Sequence, residues 1–497
     1  VHDFPLSQRI GFILGPCIFL VILNLPPFLP ISPAAQSVIA VAAWMLTWWI
    51  SEAVHLAVAA LLPIILFPLL QVQDLKETTQ AYGDPMIFLF MGGFMIALAM
   101  EKWNLHLRIA LNIVKLTGTN ADGIILGFML STGFLSMWIS NTATTVMMLP
   151  IASSVIGLLA NDENLNPKGF ANFSLTMMLG IAYAASIGGI GTLIGTPPNT
   201  AFKTIINKTY GYEVTFAQWF FVGFPFAVIL LITTYFVMVK WLFPNKLGDF
   251  AGSGEIIQKE LKKLGPMSKA EKLTSLIFFL TAMLWIFLQP LNNLFLTLKW
   301  GIKLDDTITA ILGGLVLFIT PIHWRRGEFL LHWNDTKNIA WGILLLFGGG
   351  IALANGLAKT GIIQLIGSSV TGFKGLDNYL ILVILITLVV FMTEVMSNVA
   401  LVMVIVPVIA GISVGLGENP LWLTVPITIG ASCAFMLPMA TPPNAIVFSS
   451  GHVKVAQMVK IGFVLNIISI IILSIFAQTF LPYYFEIEIG KLPDWAK

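Results

Sequence analysis

Apolar runs of membrane-spanning length recur along the whole chain, separated by short polar stretches. A helix needs about 20 apolar residues to cross about 30 Å of hydrocarbon. Runs of that order lie at residues 10–30, 36–50, 54–70, 85–100, 173–190, 219–243, 276–291, 308–321, 339–357, 421–437 and 455–481. Two more stretches, 124–159 and 379–414, are interrupted at their centres by Ser140-Asn141-Thr142 and Ser397-Asn398. The arms on either side of each polar centre are too short to span comfortably. That pattern predicts two re-entrant helical hairpins with their tips near mid-membrane.

The chain repeats itself in one order. Phe90-Met91-Gly92-Gly93-Phe94 is matched by Leu346-Phe347-Gly348-Gly349-Gly350, and Ser140-Asn141-Thr142-Ala143 by Ser397-Asn398-Val399-Ala400. Pro150 is matched by Pro407, and Gly195-Thr196-Pro197-Pro198-Asn199 by Ala440-Thr441-Pro442-Pro443-Asn444. The hydrophilic stretch 244–274 divides the two copies. Its lysines (Lys246, Lys259, Lys262, Lys263, Lys269, Lys272), with Arg325 and Arg326, mark the cytoplasmic side. The loop 26–33 has no charge, which suits the opposite face. Counting from these anchors predicts about eleven spans, a cytoplasmic N-terminus and an extracytoplasmic C-terminus. The two copies then face opposite ways, the inverted-repeat plan of many secondary transporters. The run at 10–30 lacks a small-residue cleavage site and is expected to remain as a helix rather than serve as a signal peptide. Amphipathic stretches at 104–115 and 357–371 precede the interrupted regions and are expected to lie flat at the interface.

Composition narrows the function classes. Hydrophobic residues make up 57% of the 497 and charged residues 10%, with a mean hydropathy of +0.90. That is too little charge to cover a soluble globule. A net charge of +2 is too small to suggest nucleic acid as a partner, and no Lys/Arg block is long enough to support one. Cys17 and Cys433 both sit in apolar runs and give neither a disulfide framework nor metal-ligand spacing, so they read as two small buried hydrophobes.

The polar centres carry the chemistry. Backbone at a hairpin tip has unsatisfied N–H and C=O groups, tolerable at membrane depth only against protein or a water-filled cavity. Helix N-termini there present N–H groups and a positive dipole end to an anion. Ser and Thr hydroxyls and the Asn amide add uncharged donors. In each Thr-Pro-Pro-Asn segment, two prolines remove backbone donors and break the helix. Gly188, Gly189, Gly191 and Gly195 loosen the first copy further. Carbonyls freed in an unwound helix coordinate a small hard cation such as Na⁺. Each repeat thus supplies one cation site and half of an anion site. Intramembrane charge is sparse; Glu394, three residues before Ser397, reads as a proton-coupling group or as a structural partner of the hairpin. Glu52 and His55 fall in a short polar break and read as a bend at the interface.

Ser136-Met137-Trp138-Ile139-Ser140-Asn141-Thr142 and Phe435-Met436-Leu437-Pro438-Met439-Ala440-Thr441-Pro442-Pro443-Asn444-Ala445-Ile446 resemble the divalent anion/sodium symporter family of sodium-coupled dicarboxylate and citrate transporters. The likeness covers nearly the whole chain. It implies an all-α polytopic membrane protein of the plasma (inner) membrane, a homodimer in lipid, with scaffold and transport domains that move as an elevator. It implies scaffold helices of the first repeat at 1–100 and the hairpin and broken helix of the first repeat at 101–217. The linker, cytoplasmic loop and scaffold helices of the second repeat follow at 218–357, its transport part at 358–457, and the last helix and tail at 458–497. By the same resemblance at least two Na⁺ bind per protomer. One would be held by Ser136, Ser140, Asn141 and the Gly195 carbonyl, the other by Thr393, Met396, Asn398 and the Ala440 carbonyl. Substrate would meet Ser140, Asn141, Thr142, Thr196, Pro197, Ser397, Asn398, Val399, Thr441 and Pro442. Val399 departs from the doubled pattern, which would place a Thr there, so the two half-sites cannot grip an anion identically.

The implied activity is sodium-coupled symport of C4-dicarboxylates such as succinate, malate and fumarate. Sodium-independent exchange, or carriage of citrate or sulfate on the same fold, is the alternative. Enzyme signatures are missing: no His-Glu-x-x-His, no Gly-x-Ser-Gly, no paired aspartates in facing spans, and no Walker A motif for ATP-driven transport. An anion channel also fits broken helices, but a channel cannot accumulate substrate against its gradient.

Overall fold

In hydrocarbon a backbone must close its hydrogen bonds within one segment, so each apolar run becomes a helix. The structure is a computed structural model that describes residues 5–26, 31–118, 120–159, 166–247, 253–363, 365 and 377–497. The helices, in chain order, are α1 (Leu6–Asn24), α2 (Pro33–Ser51), α3 (Leu56–Leu69), α4 (Leu75–Lys102), α5 (Leu105–Leu116), α6 (Ala121–Ser136) and α7 (Asn141–Leu159). Then come α8 (Pro167–Ile190), α9 (Pro197–Tyr210), α10 (Phe216–Leu242), α11 (Ser253–Leu264), α12 (Lys269–Ile286), α13 (Leu288–Thr297) and α14 (Asp306–Ile319). The last are α15 (Trp341–Lys359), α16 (Asn378–Met392), α17 (Asn398–Leu416), α18 (Pro420–Gly430), α19 (Pro442–Phe448) and α20 (Val455–Tyr484).

Among the described residues, eight helices are long and apolar enough to cross a membrane, and nine if α12 and α13, bent by 73°, form one span. Shorter apolar helices, α3, α6, α14, α16 and α18, make up the rest of the predicted membrane segments. The all-helical expectation gives way at one point: β1 (Pro321–His323) and β2 (Glu328–Phe329) form an antiparallel ladder. Arg325 and Arg326 lie at its turn.

Helix starts follow local chemistry. Pro33 opens α2 behind the Ser32 hydroxyl, which accepts from Ala35 N. Thr215 with Gln218 and Ser268 with Glu271 form capping boxes at α10 and α12. Glu52 ends α2 in the left-handed region and His55 caps the next turn, which makes the expected bend.

Burial ranks the helices. The most apolar window of α8 is 100% buried and that of α1 only 17%. The first is therefore the axis around which others pack, and the second turns most of its surface outward. Helices α6, α7, α10 and α19 surround α8, while α1, α2, α3, α4, α12, α14 and α15 pack largely among themselves. Cys433 is buried as expected, but Cys17 is exposed, because α1 turns most of its surface outward. The amphipathic 104–115 forms α5, which buries Leu105, Ala110, Leu111 and Val114. Arg108 fastens it to Glu271 at 2.8 Å and to the carbonyl of Gly265 at 3.0 Å. Of its counterpart at 357–371, residues 364 and 366–371 lie outside the described residues, as do 27–30 of the uncharged loop.

Candidate functional site

Helices α6 and α7 are joined by the turn 137–140, so Asn141 opens α7. Ser140 Oγ accepts from Ala143 N at 3.2 Å, as a serine at a helix start does. Ser136, at the end of α6 and fully buried, is 2.6 Å from Asn141 Oδ1 and 2.7 Å from the Ala185 carbonyl of α8. Thr192 Oγ1 donates to the Met137 carbonyl at 2.5 Å, which closes the unwound segment 191–196 onto the tip.

The second copy repeats this arrangement. Thr393, also fully buried, has its Oγ1 2.7 Å from Asn398 Oδ1 and 2.6 Å from the Ala431 carbonyl. Asn398 opens α17 as Asn141 opens α7. In each copy a hydroxyl, an amide oxygen and a carbonyl form a cluster of three oxygens. The hydroxyl has one proton for its two neighbours. An oxygen cluster short of protons has the donor chemistry of a hard-cation site.

Glycine is required where α8 meets the tip. A Cβ on Gly189 would stand 2.7 Å from Asn141 Oδ1 and 3.1 Å from Thr196 Cβ. One on Gly188 would meet the Gly133 carbonyl oxygen at 2.1 Å. The four glycines that the sequence offers as loosening are thus, at 188 and 189, conditions for close approach.

Each unwound segment ends at a pair of prolines. Pro197 and Pro198 occupy the first turn of α9, Pro442 and Pro443 that of α19. Thr196 and Thr441 precede them in extended conformation, both buried. The i+3 donor for the Gly195 carbonyl would be Pro198, which has no N–H. The i+4 donor, Asn199 N, bonds Thr196 O instead at 3.2 Å. For Ala440 the corresponding residues are Pro443 and Asn444, whose N–H goes to Thr441 Oγ1 at 3.3 Å. Gly195 is buried and Ala440 half-buried.

Packing crosses between the copies. Helix α9, after Thr196-Pro197, lies against α17, after Ser397-Asn398. Helix α19, after Thr441-Pro442, lies against α7, after Ser140-Asn141. Tyr183 of α8 donates to the Phe435 carbonyl at 2.7 Å, which joins the two broken helices directly. Ser140, Thr142 and Pro442 are exposed, while Asn141, Pro197, Ser397, Asn398 and Val399 are half-buried. Met396 is buried beside Thr393.

Glu394 is a partnered carboxylate. It accepts from three successive backbone N–H groups, Phe435 at 2.8 Å, Met436 at 3.0 Å and Leu437 at 3.2 Å, and from Asn466 Nδ2 at 2.7 Å. Of the two readings of this residue, the structural partner of the hairpin is the one that matches these contacts. Sequence reasoning missed Asn466, although an amide at the centre of the run 455–481 is a signal. It also missed the carbonyls of Ala185 and Ala431, which no side-chain pattern marks.

This is the architecture of an integral, multi-pass membrane transporter rather than an enzyme. The chain belongs to the family described as the sodium:sulfate symporter transmembrane region, whose model matches residues 7–485. It is 39% identical over 495 residues to the sodium-dependent dicarboxylate transporter SdcS of Staphylococcus aureus (strain USA300), covering 98% of this chain and 94% of that one. It is 37% identical over 497 residues to the transporter of the same name from Staphylococcus saprophyticus, with the same coverage, 98% and 94%. Two solved structures share the fold at low identity. The MtrF antimetabolite efflux pump of Neisseria gonorrhoeae has a TM-score of 0.56 and 14% identity, over 92% of this chain and 96% of that one. The YdaH transporter of Alcanivorax borkumensis has a TM-score of 0.55 and 12% identity, over 82% and 87%.

Proposed function

We propose that this protein carries C4-dicarboxylates across the plasma (inner) membrane by symport with sodium. The observation that carries the reading is the doubled oxygen cluster, Ser136–Asn141–Ala185 and Thr393–Asn398–Ala431. Relatives named as sodium-dependent dicarboxylate transporters support the choice of ion and substrate class. In this reading each cluster is one sodium site, completed by Ser140 and the Gly195 carbonyl in the first copy and by the carbonyls of Met396 and Ala440 in the second. At least two sodium ions bind per protomer. Thr142, Thr196, Pro197, Ser397, Val399, Thr441 and Pro442 join Ser140, Asn141 and Asn398 around the dianion.

The chemistry follows from desolvation. A dianion taken into a low-dielectric cavity loses its hydration at great cost. Two cations beside it, with helix starts at Asn141, Pro197 and Asn398, offset that loss. Uncharged donors let the substrate leave again once the ions have gone. The two helix–turn–helix units act as opposed re-entrant hairpins. Residues 101–217 and 358–457 move as the transport part of an elevator against 1–100 and 218–357, in a homodimer set in lipid, with 458–497 as last helix and tail. The N-terminus is cytoplasmic and the C-terminus extracytoplasmic.

Radiolabelled succinate uptake into proteoliposomes, with and without an inward sodium gradient, tests the reading. Accumulation above the external concentration only with the gradient is expected. Equal uptake in sodium and choline would favour sodium-independent exchange, and displacement of succinate by citrate or sulfate at equal concentration would favour those anions as cargo.

A further inference from the structure

Asn199 and Asn444 end the two Thr-Pro-Pro-Asn segments, and the proposed sodium and substrate contacts use neither. Both side chains are fully shut off from solvent, at 0% exposure. Asn199 Nδ2 donates to the carbonyls of Gly189 at 3.0 Å, Ile190 at 3.3 Å and Thr192 at 2.7 Å. Asn444 Nδ2 donates to those of Ala434 and Leu437, both at 3.1 Å. The acceptors common to both copies lie ten and seven residues before the asparagine. In the first copy the amide reaches back from the start of the second half-helix to the end of the first and into the unwound segment between; in the second, where α18 ends at Gly430, both acceptors lie in the unwound segment.

The amide is used from one end only. Asn199 Oδ1 and Asn444 Oδ1 are buried with no hydrogen-bond partner among the described residues. A residue kept for burial economy would pair both ends of its amide, since an unpaired buried acceptor is costly. Here the donor end is kept twice, at the same spacing, at the cost of the acceptor end. What it holds is backbone without intrahelical partners, the last carbonyls of α8 and the segment after it in the first copy and the unwound segment alone in the second, at a depth where water is excluded.

We infer that Asn199 and Asn444 are positioning residues for the sodium sites, a role that rests on the sites proposed above. Each amide fixes an unwound segment to the helix start that follows it, so that the Gly195 or Ala440 carbonyl, denied a donor by the prolines, stays turned to the oxygen cluster of its own hairpin tip. The backbone and side chain of one residue divide the work. The N–H of Asn199 bonds Thr196 O and that of Asn444 bonds Thr441 Oγ1, which leaves the Gly195 and Ala440 carbonyls free. The side-chain amide then ties down the carbonyls that must not wander.

Asn199→Ala and Asn444→Ala, reconstituted in liposomes, are titrated with sodium beside the wild type. Each should raise the sodium concentration for half-maximal succinate uptake at least fivefold, recover part of the maximal rate at saturating sodium, and leave succinate half-saturation there within twofold of wild type. Heating the purified proteins in a sodium series should show the same rightward shift in sodium-dependent stabilisation. Wild type that responds to sodium beside variants with the wild-type sodium curve overturns the positioning role alone. Wild type indifferent to sodium overturns the proposed function and the positioning role with it. If the alanine variants do not fold, Asn199→Ser and Asn444→Ser, which keep one donor on a shorter arm, are titrated in their place. Loss of fold in all four at saturating sodium assigns the amides to folding and overturns the proposal.

Discussion

The Lys203 ammonium lies 2.5 Å from the Asp306 carboxylate, and the two side chains are 0% and 2% exposed. The same carboxylate oxygen accepts from Phe216 N at 2.9 Å, and the Asp306 carbonyl accepts from Trp285 Nε1 at 3.0 Å. The pair therefore ties α9, the helix behind Thr196-Pro197, to the starts of α14 and α10 and to the end of α12. A second cation on α9, Lys208, reaches Asp84 at 2.8 Å. Asp84 caps the Pro85 turn of α4, and Thr307 Oγ1 donates to the Pro85 carbonyl at 3.1 Å. Asp306 at the start of α14 and Asp84 before the Pro85 turn within α4 thus hold one helix of the candidate site from outside it.

Removing one partner of the buried pair strands the other charge. Lys203→Ala should cost about 3–5 kcal/mol, the usual penalty for an uncompensated buried ion. Thermal unfolding in detergent should show a large fall in midpoint. Lys203→Met combined with Asp306→Asn should unfold above Lys203→Ala, since it removes both charges together. A double variant no more stable than Lys203→Ala would show that the capping of Phe216, not the ion pair, is what matters.

The close approach of α8 to the first hairpin sets a second expectation. Gly188→Ala places a methyl 2.1 Å from a backbone oxygen that has no room to yield. It should give protein that aggregates or unfolds early on size-exclusion chromatography. Gly189→Ala presses on the Asn141 amide and Thr196 instead. It should fold and lose most sodium-dependent uptake, because a side-chain amide shifts more easily than a helix backbone.

Ser136→Ala and Thr393→Ala each delete the hydroxyl at the centre of an oxygen cluster. Neither is assigned to substrate. Both should raise the sodium concentration for half-maximal uptake, and saturating sodium should restore part of the rate. Linkage is reciprocal, so sodium should tighten succinate binding by the factor by which succinate tightens sodium binding. Calorimetric titration of each ligand in the presence and absence of the other measures the factor from both sides; a factor of one would detach the clusters from the substrate.

Much of this architecture is legible in the chain because hydrocarbon enforces it. The apolar runs, the turns at Ser140 and Ser397 and the proline breaks at Pro197 and Pro442 are local patterns, and each appears where the pattern puts it. What the pattern does not hold is anything carried by backbone alone or by pairing across distance. The carbonyls of Ala185 and Ala431 belong to residues with no polar side chain. Lys203 and Asp306 are far apart in sequence and signal nothing until the fold brings them together. Cys17 reads as buried because its run is apolar, but α1 turns most of its surface away from the rest of the chain and leaves Cys17 exposed. The short ladder at Pro321 and Phe329 is too brief for periodicity to register.

Glu394 has no acidic counterpart in the first copy. Aligning Ser136 with Thr393 places Met137 opposite it, and there the unwound segment is fastened by Thr192 Oγ1 on the Met137 carbonyl. In the second copy the segment again donates and the hairpin accepts, but the acceptor is a side-chain carboxylate and the donors are the N–H groups of Phe435, Met436 and Leu437. Successive N–H groups aimed at one point form an anion-binding concavity, and a carboxylate with two oxygens matches it. Glu394→Gln keeps the shape but turns an NH₂ group toward those donors. Hydrogen bonds to a charged group contribute about 1.5–3 kcal/mol each, so losing even one should lower the unfolding midpoint measurably. Asn466→Ala should act in the same direction by a smaller amount, since it removes one donor and leaves the three N–H groups in place. The pH profile of whatever uptake remains in Glu394→Gln should match wild type, because a carboxylate this fully engaged holds the segment rather than carrying protons. A stable Glu394→Gln protein whose uptake has lost its dependence on pH would reverse that assignment and make Glu394 the proton-coupling group.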